Sequence, residues 1–523
     1  MATHLSVSKG LRLAEIIASL SLATDLGNAL PLEKALRNTV LAVGLGEAIG
    51  LSGQELSDVY YLALLRYLGC TAFAHELAGV VRDDNAMRGL LAPVDGRPAT
   101  EILRTAIGGL DRENGVLARA QAVGRFVTKG RKLQPQMVAA DCEVASRLAK
   151  RLGMSQGVQL GLAHIFALWD GSGVPATAAD TIPMAARIVL IVHITELWYR
   201  LTGVDGAIAT LRRERGRTFD PVLTDAFLPI AAERLAEVSH ESVWEVALEC
   251  EPDPRPWVPP SRLDDVAAAF ADFADLKSTY TLGHSSGVAR LAADAAVTAG
   301  RKPDVVDRIR RAALLHDLGR VSVPTAIWEK RGQLTAAEWE RVRLHPYYTE
   351  RALAQSPILQ PLAQLAGSHH ERLDASGYHR AVPASVLSAE ARLIAAADAY
   401  HAMAEDRPHR RPYSASAISK ELGQEIAAGR LDREAVNAVM AAAGQQALKT
   451  RSAWPRGLSD REVEVLRLVS RGKSNREIAR ALSIAEATVH HHVLHVYGKI
   501  GVSTRAGAAL FAMENDLVQP GTA

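Results

Sequence analysis

The chain carries two copies of one sequence pattern, and this internal repeat limits its architecture more than any other feature. The segment that begins at Asp170, DGSGVPATAADTIPMAARIVLIVHITELWYRL, matches DASGYHRAVPASVLSAEARLIAAADAYHAM, which begins at Asp374. Upstream, YYLALLRYLG ending at Gly69 matches RRAALLHDLG ending at Gly319. The repeat therefore predicts two tandem domains of the same fold, each about 200 residues long.

Both copies are predicted to be helical. Apolar residues recur at spacings of three and four, as in Val288, Leu291, Ala292 and Ala295, and alternating β-branched runs are few. Such spacing is typical of amphipathic helices, because it places the apolar side chains on one helix face. We therefore expect an all-α fold.

Two breaks divide the chain into domains. Five prolines in residues 251–262 (EPDPRPWVPPSR) remove backbone donors and exclude a helix or a central strand. A second break, RSAWPRG at 451–457, separates the last ~65 residues from the body. These breaks predict a first copy at 1–250, a linker at 251–262, a second copy at 263–450 and a small tail domain at 457–523.

Composition excludes several classes of protein. The 523 residues include 60 Lys and Arg against 58 Asp and Glu, and this net charge of +2 gives no global attraction to nucleic acid or membrane. The cysteines Cys70, Cys142 and Cys250 are widely separated, which argues against a disulfide framework and is typical of the reducing cytoplasm. No apolar run reaches the ~20 residues of a membrane span. We expect a cytoplasmic protein without a membrane partner.

The second copy concentrates histidine and aspartate residues. An isolated histidine is usually a surface or core residue, but a set of them suggests metal binding. The candidate metal ligands are His284, His316, Asp317, His345, His369, His370 and Asp398. Imidazole nitrogen and carboxylate oxygen suit Fe, Mn, Zn or Ni, and an aspartate can bridge two ions. Two such ions can hold a phosphoryl group and lower the pKa of a water, so the set predicts metal-assisted phosphoester hydrolysis.

These residues resemble the HD-GYP phosphodiesterases of bacterial cyclic di-GMP signalling, a branch of the HD phosphohydrolases. The resemblance covers about residues 275–444. Its motifs are HSSGV at His284, HDLGRVSVP at His316, LHP at His345, HHERLDASGYH at His369, ARLIAAADAYHAM around Asp398, and EDRPHRRPYS.

The resemblance implies two divalent ions, with Fe or Mn favoured and Zn or Ni as alternatives. It assigns His284, His316, Asp317 and Asp398 to one ion, and His345, His369 and His370 to the other, with Asp317 as the bridge. It further implies catalytic roles for Asp317 and Arg320, and substrate contacts from Arg320, Tyr378, Arg407 and Arg410. The implied substrate is a cyclic dinucleotide or another phosphoester nucleotide.

The second copy also departs from the HD-GYP pattern. The name-giving Gly-Tyr-Pro is Gly377-Tyr378-His379, and Ala375 replaces the usual glycine after an aspartate. Tyr280 stands where some relatives carry a glutamate that binds a third metal, so we expect two ions. Arg320 replaces the family lysine, which keeps the positive charge but exchanges a compact ammonium for a planar guanidinium.

The first copy lacks the candidate ligands. The repeat alignment places Lys34 opposite His284, Arg66 and Tyr67 opposite His316 and Asp317, Ile165 and Phe166 opposite His369 and His370, and His193 opposite Asp398. Cationic and apolar side chains cannot share a cavity with two divalent ions, so we expect no second active site. Two roles stay open: regulation, through anion binding at Lys34 and Arg66, or packing against the second copy.

The tail has the features of a helix-turn-helix domain. Ser459-x-x-Glu462, Ser474-x-x-Glu477 and Ser483-x-x-Glu486 each match a helix-capping box, which predicts a domain of three or four short helices. The segment LSDREVEVLRLVSRGKSNREIARALSIAEATVHHHVLHVYGKIGVSTR resembles the LuxR-type DNA-binding domain. The implied DNA-contacting residues are Asn475, Arg476, Thr488, Val489, His490, His491, Leu494, Lys499 and Arg505.

The tail is nearly neutral, with eight Lys or Arg and seven Asp or Glu in residues 457–523. Because so few positive charges can neutralise phosphates, we expect the protein to bind double-stranded DNA as a homodimer. Taken together, the sequence predicts a bacterial signalling protein that joins an HD-GYP-like phosphodiesterase to a LuxR-type transcription regulator. The alternative is a nucleotide-sensing transcription factor whose HD site binds a ligand without hydrolysing it.

Overall fold

The predicted all-α class is confirmed. A computed structural model describes residues 11–94, 99–109, 116–446, 454–515 and 517–518. Helices account for 68% of it, and the strands of the described residues are β1 (Leu11–Arg12) and β2 (Trp257–Val258), which pair antiparallel. The chain divides into two compact units, Met1–Asp265 and Val266–Ala523.

The first unit contains twelve α-helices within its described residues. They are α1 Leu13–Gly27, α2 Lys34–Ala48, α3 Gly53–Leu65, α4 Ala74–Ala78, α5 Asp84–Leu91, α6 Ala99–Gly109, α7 Val116–Arg151, α8 Gln156–Ala163, α9 Met184–Glu214, α10 Pro221–Phe227, α11 Ala231–Glu237 and α12 Trp244–Glu249. Short 3-10 helices cover Ala92–Val94, Ala179–Thr181 and Pro260–Arg262. Helix α9 is kinked at Gly203, whose φ of 75° is not helical.

The second unit and the helix that leads into it contain fourteen α-helices in the part of the chain that is described. They are α13 Leu263–Asp275, α14 His284–Thr298, α15 Pro303–Leu315, α16 Thr325–Trp328, α17 Ala336–Arg343, α18 His345–Ala354, α19 Gln360–Gly367, α20 Ala389–Ala404, α21 Ala415–Ala427, α22 Arg433–Gln446, α23 Asp460–Ser470, α24 Asn475–Leu482, α25 Glu486–Ile500 and α26 Arg505–Glu514. Leu318–Ser322 and Pro455–Gly457 form 3-10 helices.

The sequence repeat is a structural repeat. Helices α2 and α14 both have 15 residues, α3 and α15 both have 13, and α8 and α19 both have 8. Both copies also form the same turn, in which Asp170 accepts a hydrogen bond from the amide of Ser172, as Asp374 does from Ser376.

A buried carboxyl group lies at the start of the equivalent helices α2 and α14. Asp25 accepts from the amide of Ala35 at 3.3 Å, and Asp275 accepts from the amide of Ser285 at 2.9 Å. Side-chain oxygens at such positions satisfy the unpaired amides of the first helical turn. Burial raises the pKa of both carboxyl groups to about 8.

The tail folds as four helices, α23 to α26, around its own apolar core. The apolar residues Val465, Leu466, Val469, Ile478, Val489, Val496 and Ile500 are buried in that core, and Leu482 and Val493 pack against it. The capping boxes at Ser459 and Ser474 are present. The third box is wrong, because Ser483 adopts a left-handed conformation that ends α24, and Ala485 precedes α25 without a side-chain cap.

Two further expectations concern the second break and the membrane. Of the predicted break at 451–457, residues 451–453 lie outside the described residues. Across the described ranges, no helix combines the length and the apolarity that a bilayer crossing requires.

Candidate metal centre

The structure brings all seven predicted ligands together from five helices. His284 is the first residue of α14, His316 follows α15, and His345 begins α18. His369 and His370 follow α19, and Asp398 lies inside α20. Helix ends supply most of the ligands, because residues there can point towards a common centre while the helices themselves pack side by side.

Asp317 lies at the centre of this cluster. Its Oδ2 is 3.6 Å from Nε2 of His284 and 3.5 Å from Nε2 of His316. Its Oδ1 is 3.3 Å from Nε2 of His345 and 3.5 Å from Nε2 of His369. Because each oxygen faces a different pair of imidazoles, Asp317 has the geometry of a bridging carboxylate.

Asp398 completes the arrangement on the opposite side. Its Oδ1 is 3.2 Å from Nε2 of His284 and 3.8 Å from Nε2 of His316, and its Oδ2 is 3.8 Å from Nδ1 of His370. Among these residues, three groups of ligand atoms lie within 4.8 Å of one another: His284 with His316 and Asp398, His345 with His369 and His370, and His316 with Asp317 and His369. The third group joins a member of each predicted ligand set through Asp317.

Three histidines are oriented by their own backbone. Nδ1 of His316, His345 and His369 donates to the carbonyl oxygen three residues earlier, at 2.7, 2.6 and 2.6 Å. This hydrogen bond leaves the Nε2 lone pair directed into the cluster, as in metal-ligating histidines. Nε2 of His316 is buried and has no hydrogen-bond partner in the structure, so a metal ion fits the donor set.

The electrostatics favour cation binding. Burial lowers the pKa of His316 to about 4 and also lowers the pKa of His345, which keeps both rings neutral. Burial opposes ionisation of Asp317, but Arg320 and His316 hold its pKa well below its usual range. Burial likewise disfavours the charged form of His284, yet Glu405 and Asp398 raise its pKa to about 10. The centre therefore combines ionised carboxylates with neutral rings at His316 and His345, and His284 carries a proton that a bound cation would displace.

Arg320 is held at the edge of the centre by two contacts. Its Nη1 is 2.7 Å from Oδ2 of Asp317, and its guanidinium lies 4.0 Å from the centre of the Trp328 ring. Gly319 allows the close approach of this loop to α18, because a Cβ there would lie 2.0 Å from the carbonyl oxygen of His345. Sequence reasoning did not identify Trp328, whose only signal is an aromatic residue eight positions after Arg320.

The other predicted substrate residues lie in two loops. Tyr378 stacks on His370, with ring centres 4.7 Å apart. Arg407 donates to Glu405, and its side chain is 14% exposed. Arg410 donates to the carbonyl oxygens of Ala402 and Met403 at the end of α20, so its guanidinium braces the loop.

Two buried residues beside the centre escaped the sequence analysis. His401 and Glu405 follow Asp398 at spacings of three and seven, so all three lie on one face of α20 or just beyond its end. Glu405 approaches Nδ1 of His284 at 2.8 Å. The helical spacing from Asp398 is the signal that could have identified them.

The first copy has a different cluster at the equivalent position. Nζ of Lys34 lies 2.8 Å from Glu196 and 2.7 Å from Oδ1 of Asn38, and it is fully buried. Nε2 of His193 lies 3.2 Å from the hydroxyl of Tyr67. The suggested anion site at Lys34 and Arg66 is wrong, because Lys34 is already paired with a carboxylate and Arg66 is 3% exposed and donates to the carbonyl oxygen of Ile165.

The tail exposes part of the predicted DNA-contacting set. Arg476, Thr488, His490, His491, Leu494 and Lys499 are exposed, and Asn475 and Arg505 are half-buried. The prediction that Val489 contacts DNA is wrong, because its side chain faces the domain core and is 0% exposed. Lys499 pairs with Glu462 at 2.7 Å, and Arg505 donates to the carbonyl oxygens of Val469 and Lys473.

Comparison with known proteins identifies two regions of the chain. Residues 268–435 match the HD domain family, and residues 456–512 match the luxR family of bacterial regulatory proteins. Over 418 residues the chain is 28% identical to 3'3'-cGAMP-specific phosphodiesterase 3 of Vibrio cholerae, covering 76% of this chain and 87% of that protein. Over 150 residues it is 33% identical to a cyclic di-GMP phosphodiesterase of Thermotoga maritima, covering 28% of this chain and 40% of that protein.

A solved structure shows the same likeness. The crystal structure of a cyclic GMP-AMP-specific phosphodiesterase of Vibrio cholerae has a TM-score of 0.57 and 25% sequence identity. The match covers 83% of this chain and 98% of that one, so it extends well beyond the HD domain. The predicted HD-type hydrolase is confirmed at the level of homology. The chain contains an HD domain followed by a luxR-family domain, and it is homologous to the HD-GYP type of cyclic-dinucleotide phosphodiesterases.

Proposed function

We propose that the second copy, residues 263–450, hydrolyses a phosphodiester bond of a cyclic dinucleotide with the help of two divalent ions. One observation carries this proposal: each oxygen of Asp317 faces its own pair of histidines, as a bridge between two ions requires. Fe or Mn suits the mixed imidazole and carboxylate set, with Zn or Ni as alternatives.

The residues around the centre have separable roles. His284, His316, Asp317 and Asp398 would hold one ion, and His345, His369 and His370 the other. When bound, the ions supply Lewis-acid activation of a water and of the phosphoryl oxygens. Arg320 and Arg407 offset negative charge on the phosphate, and Tyr378 fixes the ring of His370 by stacking.

The relatives indicate which substrates to compare. One acts on 3'3'-cGAMP and another on cyclic di-GMP, by their names. Both substrates share two phosphodiester bonds and a guanine base, so both belong in one assay. We expect a linear dinucleotide as the product, with the faster substrate identifying the natural class.

The test combines metal analysis with turnover. We expect about two ions per chain after loading with Mn²⁺ or Fe²⁺ under reducing conditions, and hydrolysis that stops when a chelator removes them. A metal-loaded protein that turns over neither cyclic dinucleotide would contradict the proposal.

A second candidate is a sensor that binds the nucleotide without cleaving it. The observation that favours it is the direct ion pair between Arg320 and Asp317, which engages one oxygen of the bridge. Metal-dependent binding of a cyclic dinucleotide with no product after prolonged incubation would identify the sensor.

We further propose that the tail binds double-stranded DNA as a homodimer and regulates transcription from the cytoplasm. The exposed side chains of α25, including Thr488, His490, His491 and Leu494, would face the major groove. The test is selection of bound DNA sequences followed by footprinting. An inverted repeat with half-sites about one helical turn apart is expected, and failure to enrich any sequence contradicts this role.

The structure also suggests how the two activities communicate. Asp406, between Glu405 and the predicted substrate residue Arg407, pairs with Arg471 at the end of α23, 3.2 Å away. A partly exposed pair of this kind contributes little stability, but it joins the substrate loop to the tail. We propose that nucleotide binding changes operator affinity, and Arg471→Ala should reduce that change. Equal operator affinities with and without a nonhydrolysable cyclic dinucleotide would exclude coupling.

A further inference from the structure

Glu405 is outside the predicted ligand set, yet it contacts three groups around the centre. Its Oε2 lies 2.8 Å from Nδ1 of His284 and 2.8 Å from Nη2 of Arg407. Its Oε1 lies 3.2 Å from Nδ1 of His401. Glu405 is 5% exposed, so bulk water does not compete for these contacts. One buried carboxylate thus holds two imidazoles and one guanidinium.

The contact with His284 determines how that histidine faces the centre. Nε2 of His284 points to Asp398 at 3.2 Å and to Asp317 at 3.6 Å, while Nδ1 points to Glu405. A carboxylate that accepts from one ring nitrogen fixes the tautomer and strengthens the other nitrogen as a metal ligand. Glu405 therefore selects Nε2 of His284 for the metal.

The neighbouring packing keeps Glu405 in place. The ring of His401 lies against Gly287, where a Cβ would be 1.9 Å from Nε2 of His401. Gly287 is in the first turn of α14, near His284, and its missing side chain admits the His401 ring. The ring in turn supplies the partner for the second oxygen of Glu405.

We propose that Glu405 is a positioning residue that links metal binding at His284 to phosphate binding at Arg407; this rests on the metal-dependent function proposed above. A phosphate that pairs with Arg407 draws the guanidinium away from Glu405. The carboxylate then accepts more strongly from His284, which makes Nε2 a better donor to the metal. Metal and phosphate should therefore each increase the affinity for the other.

The main alternative is that Glu405 itself binds a further metal ion. His284, His401 and Glu405 could supply three ligand atoms within 4.8 Å of one another. Two contacts argue against a metal ion there. Arg407 places a positive charge 2.8 Å from Oε2 of Glu405, and Nε2 of His284 already faces the carboxylates of the centre.

The first copy supports a positioning role independently. The repeat alignment places Glu196 opposite His401 and Arg200 opposite Glu405. Glu196 contacts Lys34, the residue opposite His284, at 2.8 Å, and it also pairs with Arg200. In both copies, a carboxylate on α9 or at the end of α20 contacts the first residue of the helix it packs against, Lys34 of α2 or His284 of α14.

The test measures Mn²⁺ affinity by calorimetry in the full-length protein, with and without inorganic phosphate. In the wild type, phosphate should increase Mn²⁺ affinity several-fold. Glu405→Gln should lower Mn²⁺ affinity about 10- to 100-fold and remove the phosphate effect. Arg407→Gln should remove the phosphate effect and raise the phosphate-free Mn²⁺ affinity towards that of the phosphate-bound wild type, because the guanidinium no longer competes for Oε2 of Glu405.

The control variant is Glu329→Gln. Glu329 accepts hydrogen bonds from the hydroxyl of Ser278 and the amide of Thr279 in the same unit. Its substitution should leave the Mn²⁺ affinity and the phosphate effect unchanged. Circular dichroism of each variant separates misfolding from lost positioning, and Glu405→Asp should recover part of the affinity.

Three results overturn the proposal. They are wild-type Mn²⁺ affinity in Glu405→Gln, a phosphate effect that persists in that variant, and loss of one ion per chain with the remaining affinity unchanged, which would make Glu405 a ligand. Because the readout is Mn²⁺ affinity, a wild type that binds Mn²⁺ but hydrolyses nothing contradicts the proposed function and leaves this test valid.

Discussion

The two copies bury carboxylates at the equivalent place in the fold, but these carboxylates have different partners in each copy. In the first copy, the ammonium of Lys34 lies 2.8 Å from Glu196, which also pairs with Arg200. In the second copy, His284 faces Asp317 and Asp398, and the surrounding imidazoles are held by backbone carbonyl oxygens.

This difference shows two ways to stabilise a buried carboxylate. A buried charge must be compensated, and removing its partner is costly. The first copy supplies the compensating cation covalently, as the side chain of Lys34. The second copy arranges two carboxylates among imidazoles, a donor set that could bind divalent ions. The first copy is therefore a self-neutralised core, and the second has the donor set of the proposed metal site.

The largest expected difference between the copies comes from their central residues. Asp317→Ala removes the bridge between the two ligand groups and should abolish both metal retention and hydrolysis. Tyr67→Phe, at the aligned position of the first copy, should leave both unchanged. Elemental analysis and chromatography of the nucleotide products measure the two effects. Unchanged metal content in Asp317→Ala would show that Asp317 is not the bridge.

The second prediction concerns stability rather than metal. Lys34→Met leaves Glu196 buried with a weakened set of partners, and should reduce the free energy of unfolding by about 3–5 kcal/mol. The double variant Lys34→Met/Glu196→Leu should recover most of this loss, because it removes the uncompensated charge. Denaturant unfolding measures both, with metal content as the control. A single variant as stable as the wild type contradicts the self-neutralised core.

The third prediction uses the buried carboxyl groups that the copies share. Burial raises the pKa of Asp25 to about 8, so the folded protein keeps a proton that the unfolded chain loses above about pH 4. This contribution to stability is full below about pH 4 and is lost as pH rises towards 8, by up to about 1.4 kcal/mol per pH unit.

Asp25→Asn removes that titration. The difference in unfolding free energy between wild type and variant should therefore change between pH 5 and 7.5, in favour of the variant at the higher pH. Lys34 and Glu196 also face Asp25, and taking the difference reduces their contributions. Asp275→Asn is the matched variant in the second copy and should behave alike. A pH-independent difference would mean that Asp25 is ionised throughout.

The smallest expected effect concerns the turn that both copies share. Ala375 has a φ of 61°, a left-handed conformation, and the first copy has Gly171 at the aligned position with a φ of 76°. Because glycine adopts this conformation without steric cost, Ala375→Gly should stabilise the second copy by about 1 kcal/mol or less. Gly171→Ala should destabilise the first copy by a similar amount. Paired thermal unfolding experiments measure both changes. A destabilised Ala375→Gly or a stabilised Gly171→Ala would contradict the interpretation.

The candidate ligands could be predicted because histidine and aspartate are metal-binding residue types that occur here in recognisable motifs. The seven candidate ligands, which the structure places around Asp317 and Asp398, follow from the motifs and their resemblance to a known family. His401, Glu405 and Trp328 were not predicted, since their importance lies in what they contact and not in a recognisable motif. Val489 was misassigned because a position on a DNA-reading helix does not say which way the side chain faces.

The sequence by itself determined the helical class, the repeat and the donor set, because apolar spacing and ligand chemistry are local properties of the chain. Only the tertiary structure decided which nitrogen of His284 faces the centre, which cation compensates Glu196, and that one carboxylate joins His284 to Arg407. These features depend on distances between residues far apart in sequence. Helix packing sets those distances, and hydrogen bonds and ion pairs act only over a few ångström.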